Sequence, residues 1–532
     1  MEDRTPVIVG VGQITDHPDS PNFLGSSPQE LAAAAARCAL TDSGAADTLL
    51  PLIDALAIVR TTADSVPDFA YPFFAPLGGS DNMPHSVAKR VGCDPRVAVY
   101  SSACGDEPQK LLSELSERIY DGELRAALLG GAEAVASQRL LQKAQPPIDW
   151  NESVAGDFED RGKGIDFMLN ETMTLHQAQT PLDSYPLFEH ARRARKSMDK
   201  AAYALEMGQL FERFAAVAAD NPLAMSRQAL SAQEIATLSE KNRMVADPYS
   251  KAMVARDRVN QGAAILLTSL GVAKGLGIAD RCVYLHGYSA VQERLLLERQ
   301  DLGASPAMTA AYRDALDAAG IAAGDVARFD LYSCFPIAVF CAMEALGIDV
   351  DDPRPLTVTG GLPYFGGPGN NYSMHGIAAM VDACRAAPGS YGVVGANGGF
   401  LSKHAVGVYS SSPKAFVPCR SDAAQAEIDS LLAPPLEAHP QGWARIETYT
   451  VTYAGSAPKA VVVIGRMQDS GARFVANVDL EDEDTLAFFV SGDPLPYRMY
   501  AGSFEFGNRL ALSPESLQQR YASPATAGNT AA

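Results

Sequence analysis

The sequence contains no CxxC pair and no cysteine/histidine spacing of the kind that holds a metal. Its eight cysteines are scattered from Cys38 to Cys419. That argues against a structural zinc site and for free thiols in a reducing compartment, so a cytoplasmic setting is expected. No apolar run approaches the roughly 20 residues a spanning helix needs, so no membrane insertion is expected. The opening MEDRTPVIVGVG lacks a basic segment followed by an apolar core, and nothing in it suggests export. Positive charge is scarce: 43 Lys and Arg face 63 Asp and Glu, a net charge of −20. A nucleic-acid partner is therefore not expected, nor is an anionic membrane surface. A local pocket for an anionic small molecule is left open.

What is present is long and evenly composed. At 532 residues the chain exceeds one ordinary core, and two or three domains are expected. TPVIVGVGQI reads as a strand, SSPQELAAAAARCAL as a serine-capped helix and LIDALAIVRT as the next strand, an α/β alternation. Two later stretches repeat one unit. Helix 108–119 leads into strand 126–135, and helix 372–386 leads into strand 391–399. Each helix follows a turn-prone segment and each strand ends in glycine, which suggests a duplicated architecture. Residues 136 to about 250 are helix-rich and read as an insertion over the core. Beyond residue 412 the texture becomes β-branched and aromatic, in WARIETYTVTYA, KAVVVIGRM and ARFVANVDL, so an all-β domain follows. The boundaries read from the sequence are 1–278, 279–412 and 413–515, with 516–532, ending in ASPATAGNTAA, expected to be disordered.

The segments TPVIVGVGQI, ERIYDGELRAALLGGAEAV, RDRVNQGAAILLTS, GGLPYFGGPGNNYSMHG and GANGGF, in this order, resemble the thiolase superfamily. The likeness covers residues 1 to about 412 and is strongest to the sterol-carrier-protein-type thiolases and the type 1 thiolase-like proteins. It implies a five-layer αβαβα fold of two similar halves, with the C-terminal β domain as a fused OB-like barrel. It further implies a coenzyme A thioester as substrate, no permanently bound cofactor, and a homodimer or monomer.

The catalytic positions of that superfamily are altered. Alignment through IYDG and LLGGAEA places Gly105 at the nucleophile position and Cys104 one residue early. One residue at a helix start turns a side chain by about 100°, and Asp106 and Glu107 would raise a nearby thiol pKa. Gly367 stands where the resemblance implies the activating histidine, Ala396 where it implies the second cysteine, and Tyr332 where it implies the histidine of an HDCF-type motif. Tyr332 in LYSCFP and Tyr372 in NNYSMHG match the tyrosines of superfamily members that cleave carbon–carbon bonds by retro-aldol chemistry. Ser333 replaces the aspartate of that pattern.

The implied proton-transfer residues are Tyr332, Tyr372 and His375, with Cys104 as the alternative nucleophile. Gly105, Gly366, Gly367, Asn397, Gly398 and Gly399 are the candidate binding residues, offering backbone or amide donors to a thioester oxygen. Tight-turn packing explains the glycines equally well. Cys334 and His404 read as core residues. Three functions stay open: retro-aldol-type carbon–carbon bond chemistry on an acyl-CoA, an acyl-CoA acyltransferase using Cys104, and a non-catalytic acyl-CoA or lipid binder.

Overall fold

The structure, a computed structural model, describes residues 2–164, 170–495 and 497–521. The predicted duplication is visible in the sheets. In the first half, strand Ile53–Ile58 runs parallel to Ala126–Ala134, which pairs antiparallel with Asn260–Ser269, itself antiparallel to Pro6–Thr15. In the second half, Val326–Leu331, Tyr391–Gly398, Lys403–Ser410 and Tyr284–Gln292 repeat this order and these directions. Val97–Tyr100 extends the first sheet, and the two-residue strand Glu159–Asp160 covers its edge.

The layers follow from two-faced burial. In strand Ala126–Ala134, Leu128 packs outward with helix Pro28–Asp42, while Leu129 packs inward with the central helices Glu107–Tyr120 and Tyr372–Ala386. A strand covered on both faces reads as a continuous apolar run, which is why AALLGG shows no alternation. Helices Pro306–Ala319 and Pro336–Leu346 cover the outer face of the second sheet. The result is the expected αβαβα stack. Its first helix starts where predicted: Ser27 and Glu30 form a reciprocal capping box with Pro28 in the first turn.

The insertion contributes helices Pro181–Arg195 and Lys200–Asp220. Their Tyr185, Phe211 and Phe214 join one apolar cluster with Phe329, Phe335 and Phe340 of the second half. In the C-terminal region, Gly442–Ala454, Ala457–Met467, Arg473–Asn477, Gly507–Ala511 and Arg498–Phe504 close into a five-stranded barrel, consistent with the OB-like expectation. Met244–Ala246 of the insertion pairs onto the long strand of this barrel. Further ties join the two: Arg193 to Asp493 at 2.7 Å, and Asn508 N–H to His176 Nε2 at 2.8 Å. The expected disordered tail needs correction at its start, since helix Pro514–Tyr521 runs past residue 515 with Leu517 buried. The remainder, 522–532, lies outside the described residues. Among the described residues no helix is long and apolar enough to cross a membrane.

Candidate functional site

The segment after strand Val97–Tyr100 turns through Cys104 into the central helix Glu107–Tyr120. Cys104 has φ +145°, a conformation L-residues other than glycine rarely hold. Its thiol is pushed up to about 12, chiefly by burial and then by Asp106, with Lys403 opposing. At neutral pH it is overwhelmingly protonated, and a protonated thiol is a poor nucleophile. The offset counted in the sequence thus has an electrostatic counterpart.

Gly105, expected from the resemblance at the nucleophile position, lies directly under Tyr332. A methyl group placed on its Cα would sit 2.4 Å from the Tyr332 hydroxyl and 2.4 Å from the Asn397 carbonyl oxygen. Its carbonyl accepts a 2.7 Å hydrogen bond from Ser373 Oγ, which ties the first central helix to the second. Gly105→Ala should therefore lose roughly 1–3 kcal/mol through overpacking. Tyr332→Ala should relieve part of that loss, giving a favourable coupling in a double-mutant cycle read by denaturant unfolding. A Gly105→Ala protein as stable as the parent would contradict this packing.

Tyr332 and Tyr372 are brought together, with ring centroids 5.4 Å apart and planes at 88°. Their hydroxyls differ. That of Tyr372 shares a 2.7 Å hydrogen bond with Thr359 Oγ1, and Thr359 and Thr357 both donate to Asp330 Oδ1. That of Tyr332 has no hydrogen-bond partner among the described residues. Burial raises both phenols well above their usual range. Neighbouring Cys334, Cys104 and Asp106 add to the shift at Tyr332, and Asp330 adds to it at Tyr372. A phenol so shifted stays protonated and acts as a donor, not as a base.

The remaining predicted residues divide. His375 does not meet the two phenols as a base should. Its Nδ1 lies 2.8 Å from Gln13 Oε1, its ring packs on Phe365, and burial lowers its pKa to about 3. In the glycine loop, where an oxyanion hole and a tight turn are equally expected, four N–H groups are occupied. Gly360 donates to Thr357, Gly361 to Thr359, Gly367 to the Arg256 carbonyl and Gly369 to the Gly367 carbonyl. At Gly366, with φ +129°, a Cβ would fall 2.3 Å from Gln261 Oε1, so close approach explains that glycine. Gly398 packs on Cys104 and Gly105, while Gly399 turns at φ +59°. Asn397 is at the centre, but its amide already donates to the Tyr185 hydroxyl at 3.0 Å and toward Cys334 Sγ at 3.7 Å. Cys334 is buried, and His404 bonds Ser305, the cap of helix Pro306–Ala319, so both are core residues as read.

Two residues at the centre escaped the sequence reading. Tyr185 arrives from the insertion, more than 200 positions from Asn397, and no local pattern announces it. Asp106 was read only for its effect on Cys104. Its Oδ2 is 3.7 Å from Lys110, whereas its buried Oδ1 has no partner among the described residues. That oxygen would be 3.1 Å from a Cβ on Gly398. Adjacency to Gly105 was the only signal available for it.

Comparison with known proteins places these observations. Residues 423–498 match the family model described as the thiolase-like protein type 1 additional C-terminal domain. The search of curated proteins gave no match. Among solved structures, the dimeric peroxisomal thiolase of Saccharomyces cerevisiae is 13% identical over 77% of this chain and 98% of its own, with a TM-score of 0.54. A structure titled Ltp2-ChsH2(DUF35) aldolase is 16% identical over 76% and 98%, with a TM-score of 0.55. These two show the shared fold. A monomeric SCP2-thiolase-like protein type 1 from Mycobacterium smegmatis is 40% identical over 96% of this chain and 100% of its own, with a TM-score of 0.82. With its αβαβα core and its fused barrel, the chain belongs to the SCP2-thiolase-like proteins of type 1.

Proposed function

We propose that this protein acts on an acyl-CoA thioester and breaks or forms a carbon–carbon bond by retro-aldol-type chemistry, with Tyr332 in place of the missing cysteine. The observation that carries the reading is the Tyr332 hydroxyl: buried, protonated, without a hydrogen-bond partner among the described residues, and held over Gly105. The fold shared with a protein titled an aldolase supports it.

In the cleavage direction a β-hydroxyacyl thioester loses its hydroxyl proton, the Cα–Cβ bond breaks, and a ketone or aldehyde leaves. The electron pair remains as a thioester enolate, which then takes a proton at Cα. Tyr332 O–H is suited to donate to the enolate oxygen, and a donor aimed at developing charge lowers the barrier. Asp106 Oδ1 is suited to receive the β-hydroxyl proton, a role for which Tyr372, bonded to Thr359, and His375, buried and with its pKa lowered to about 3, are poorly suited. The relative described as monomeric and the covered edge of the first sheet favour a monomer.

The test is incubation with a panel of β-hydroxyacyl- and acyl-CoAs, followed by mass spectrometry of protein and supernatant. A carbonyl product with a shortened acyl-CoA, and an unmodified protein, is the expected result. An acyl adduct on Cys104 would restore the acyltransferase reading and defeat this one. Stoichiometric binding with no conversion would favour a non-catalytic acyl-CoA binder, which the occupied glycine-loop donors support.

A further inference from the structure

A second pocket lies on the first half of the core. A narrow cavity of about 30 Å³, room for a water-sized group, is lined by Gln29, Thr62, Phe74, Met83, Glu133 and Val135. It adjoins an outer cleft of about 510 Å³, and Ala63, Asp64, Tyr71, Gly79 and Ser80 line both.

Its inner end is built from acceptors. Glu133 is 4% exposed at the end of strand Ala126–Ala134. Its Oε1 accepts from Thr62 N–H at 2.6 Å and Thr62 Oγ1 at 2.8 Å, while its Oε2 has no hydrogen bond among the described residues. Gln29 is 2% exposed. Its Nε2 donates to the Trp150 carbonyl, and its Oε1 is buried without a partner. One buried orphan acceptor, Gln29 Oε1, and the free oxygen of the Glu133 carboxyl thus lie on residues that line one small space, and a buried polar atom is normally satisfied. Gln138, on the same wall, has both ends of its amide used.

The charges along the path have one sign left over. Arg60 pairs with Asp160, Lys163 with Asp68 and Glu152 with Arg90. Asp64 accepts only hydroxyls, from Tyr100 and Thr61, and neither Asp64 nor Glu133 has a cationic partner among the described residues. The walls between them include Phe74, Met83 and Val135.

We infer that this pocket binds a primary alkylammonium group, its head on Glu133 and Gln29 and its short apolar stem leading out past Tyr71 and Asp64. An ammonium brings three donors and no acceptor, enough for both oxygens, and its positive charge favours the ionised form of Glu133, whose carboxyl burial raises to about 7. The site is distinct from the Gly105 centre yet mechanically joined to it. Gly369 packs so closely on Glu133 that a Cβ there would be 2.2 Å from Oε1, and four residues later Ser373 holds the Gly105 carbonyl.

The experiment is titration of the full-length protein with n-butylamine and, in parallel, n-butanol, followed by calorimetry. Saturable butylamine binding is expected, with butanol at least about tenfold weaker, since a buried charge pair outweighs a neutral hydrogen bond. Glu133→Gln should weaken the amine by about tenfold or more and leave butanol nearly unchanged. Gln29→Met, which removes only the orphan acceptor and one wall hydrogen bond, should weaken the amine by a smaller factor. It carries the test should Glu133→Gln not fold. No saturable amine binding, equal affinity for butanol, or amine binding indifferent to both substitutions would overturn the inference and leave a water pocket.

Discussion

Tyr332→Phe is expected to lower turnover of a cognate acyl-CoA by roughly 10²–10⁴-fold, the usual worth of a positioned proton-transfer or oxyanion-donating group. The fold should barely notice. The hydroxyl makes no hydrogen bond among the described residues, so its removal breaks none, and the ring keeps its edge-on contact with Tyr372. A stability change within about 1 kcal/mol is expected. That separation is the useful part of the experiment. Tyr372→Phe makes the contrast, because it removes a bond to Thr359 inside the buried Asp330 network and should cost stability as well. Unchanged turnover in Tyr332→Phe, with substrate conversion established in the parent, would remove Tyr332 from the chemistry.

Arg473→Ala is expected to lose about 3–5 kcal/mol and to loosen the C-terminal barrel from the core. Arg473 is fully buried. Its guanidinium binds both oxygens of Glu447, at 2.6 and 2.9 Å, and reaches the carbonyls of Leu297, Arg299 and Gln300 in the second half of the core. Alanine would strand three carbonyls and one carboxylate, the last still touched by Arg466 at 3.1 Å. Arg473→Lys should recover little, since one ammonium cannot reproduce a planar fork across two elements. Denaturant unfolding measures the loss, and limited proteolysis between residues 413 and 441 reports the loosening. An Arg473→Ala protein with parental stability and protease resistance would show that other contacts dock the barrel.

The parts of this molecule legible in the sequence share a cause. Helix Pro28–Asp42 was legible because its cap is local, Ser27 with Glu30. The two repeated helix-to-strand units were legible because each is a contiguous run with glycine at its end. The barrel was legible through β-branched runs at regular spacing, although its extra strand, Met244–Ala246, was hidden inside a helix-rich insertion. The glycine loop shows the opposite case. GGLPYFGGPG signals close approach of a backbone, but the sequence does not say to what. The structure answers with Ala218, Phe214, Gln261 and Glu133.

The sequence alone determined the thiolase-like architecture and the fused β domain, and it raised the expectation that the cysteine mechanism is lost. Order and spacing of segments carry the first two, and a one-residue offset at Cys104 carries the third. Only the tertiary structure decided which groups at the centre remain available. Tyr372, His375 and the amide of Asn397 look like free chemistry in a linear chain, and each is engaged by a residue more than ten positions away: Thr359, Gln13 and Tyr185. Among the described residues the Tyr332 hydroxyl makes no hydrogen bond, and Asp106 Oδ1, His375 Nε2 and Asn397 Oδ1 are buried without a partner. Availability depends on partners that sheet order and helix packing bring together, and periodicity along the chain holds no record of them.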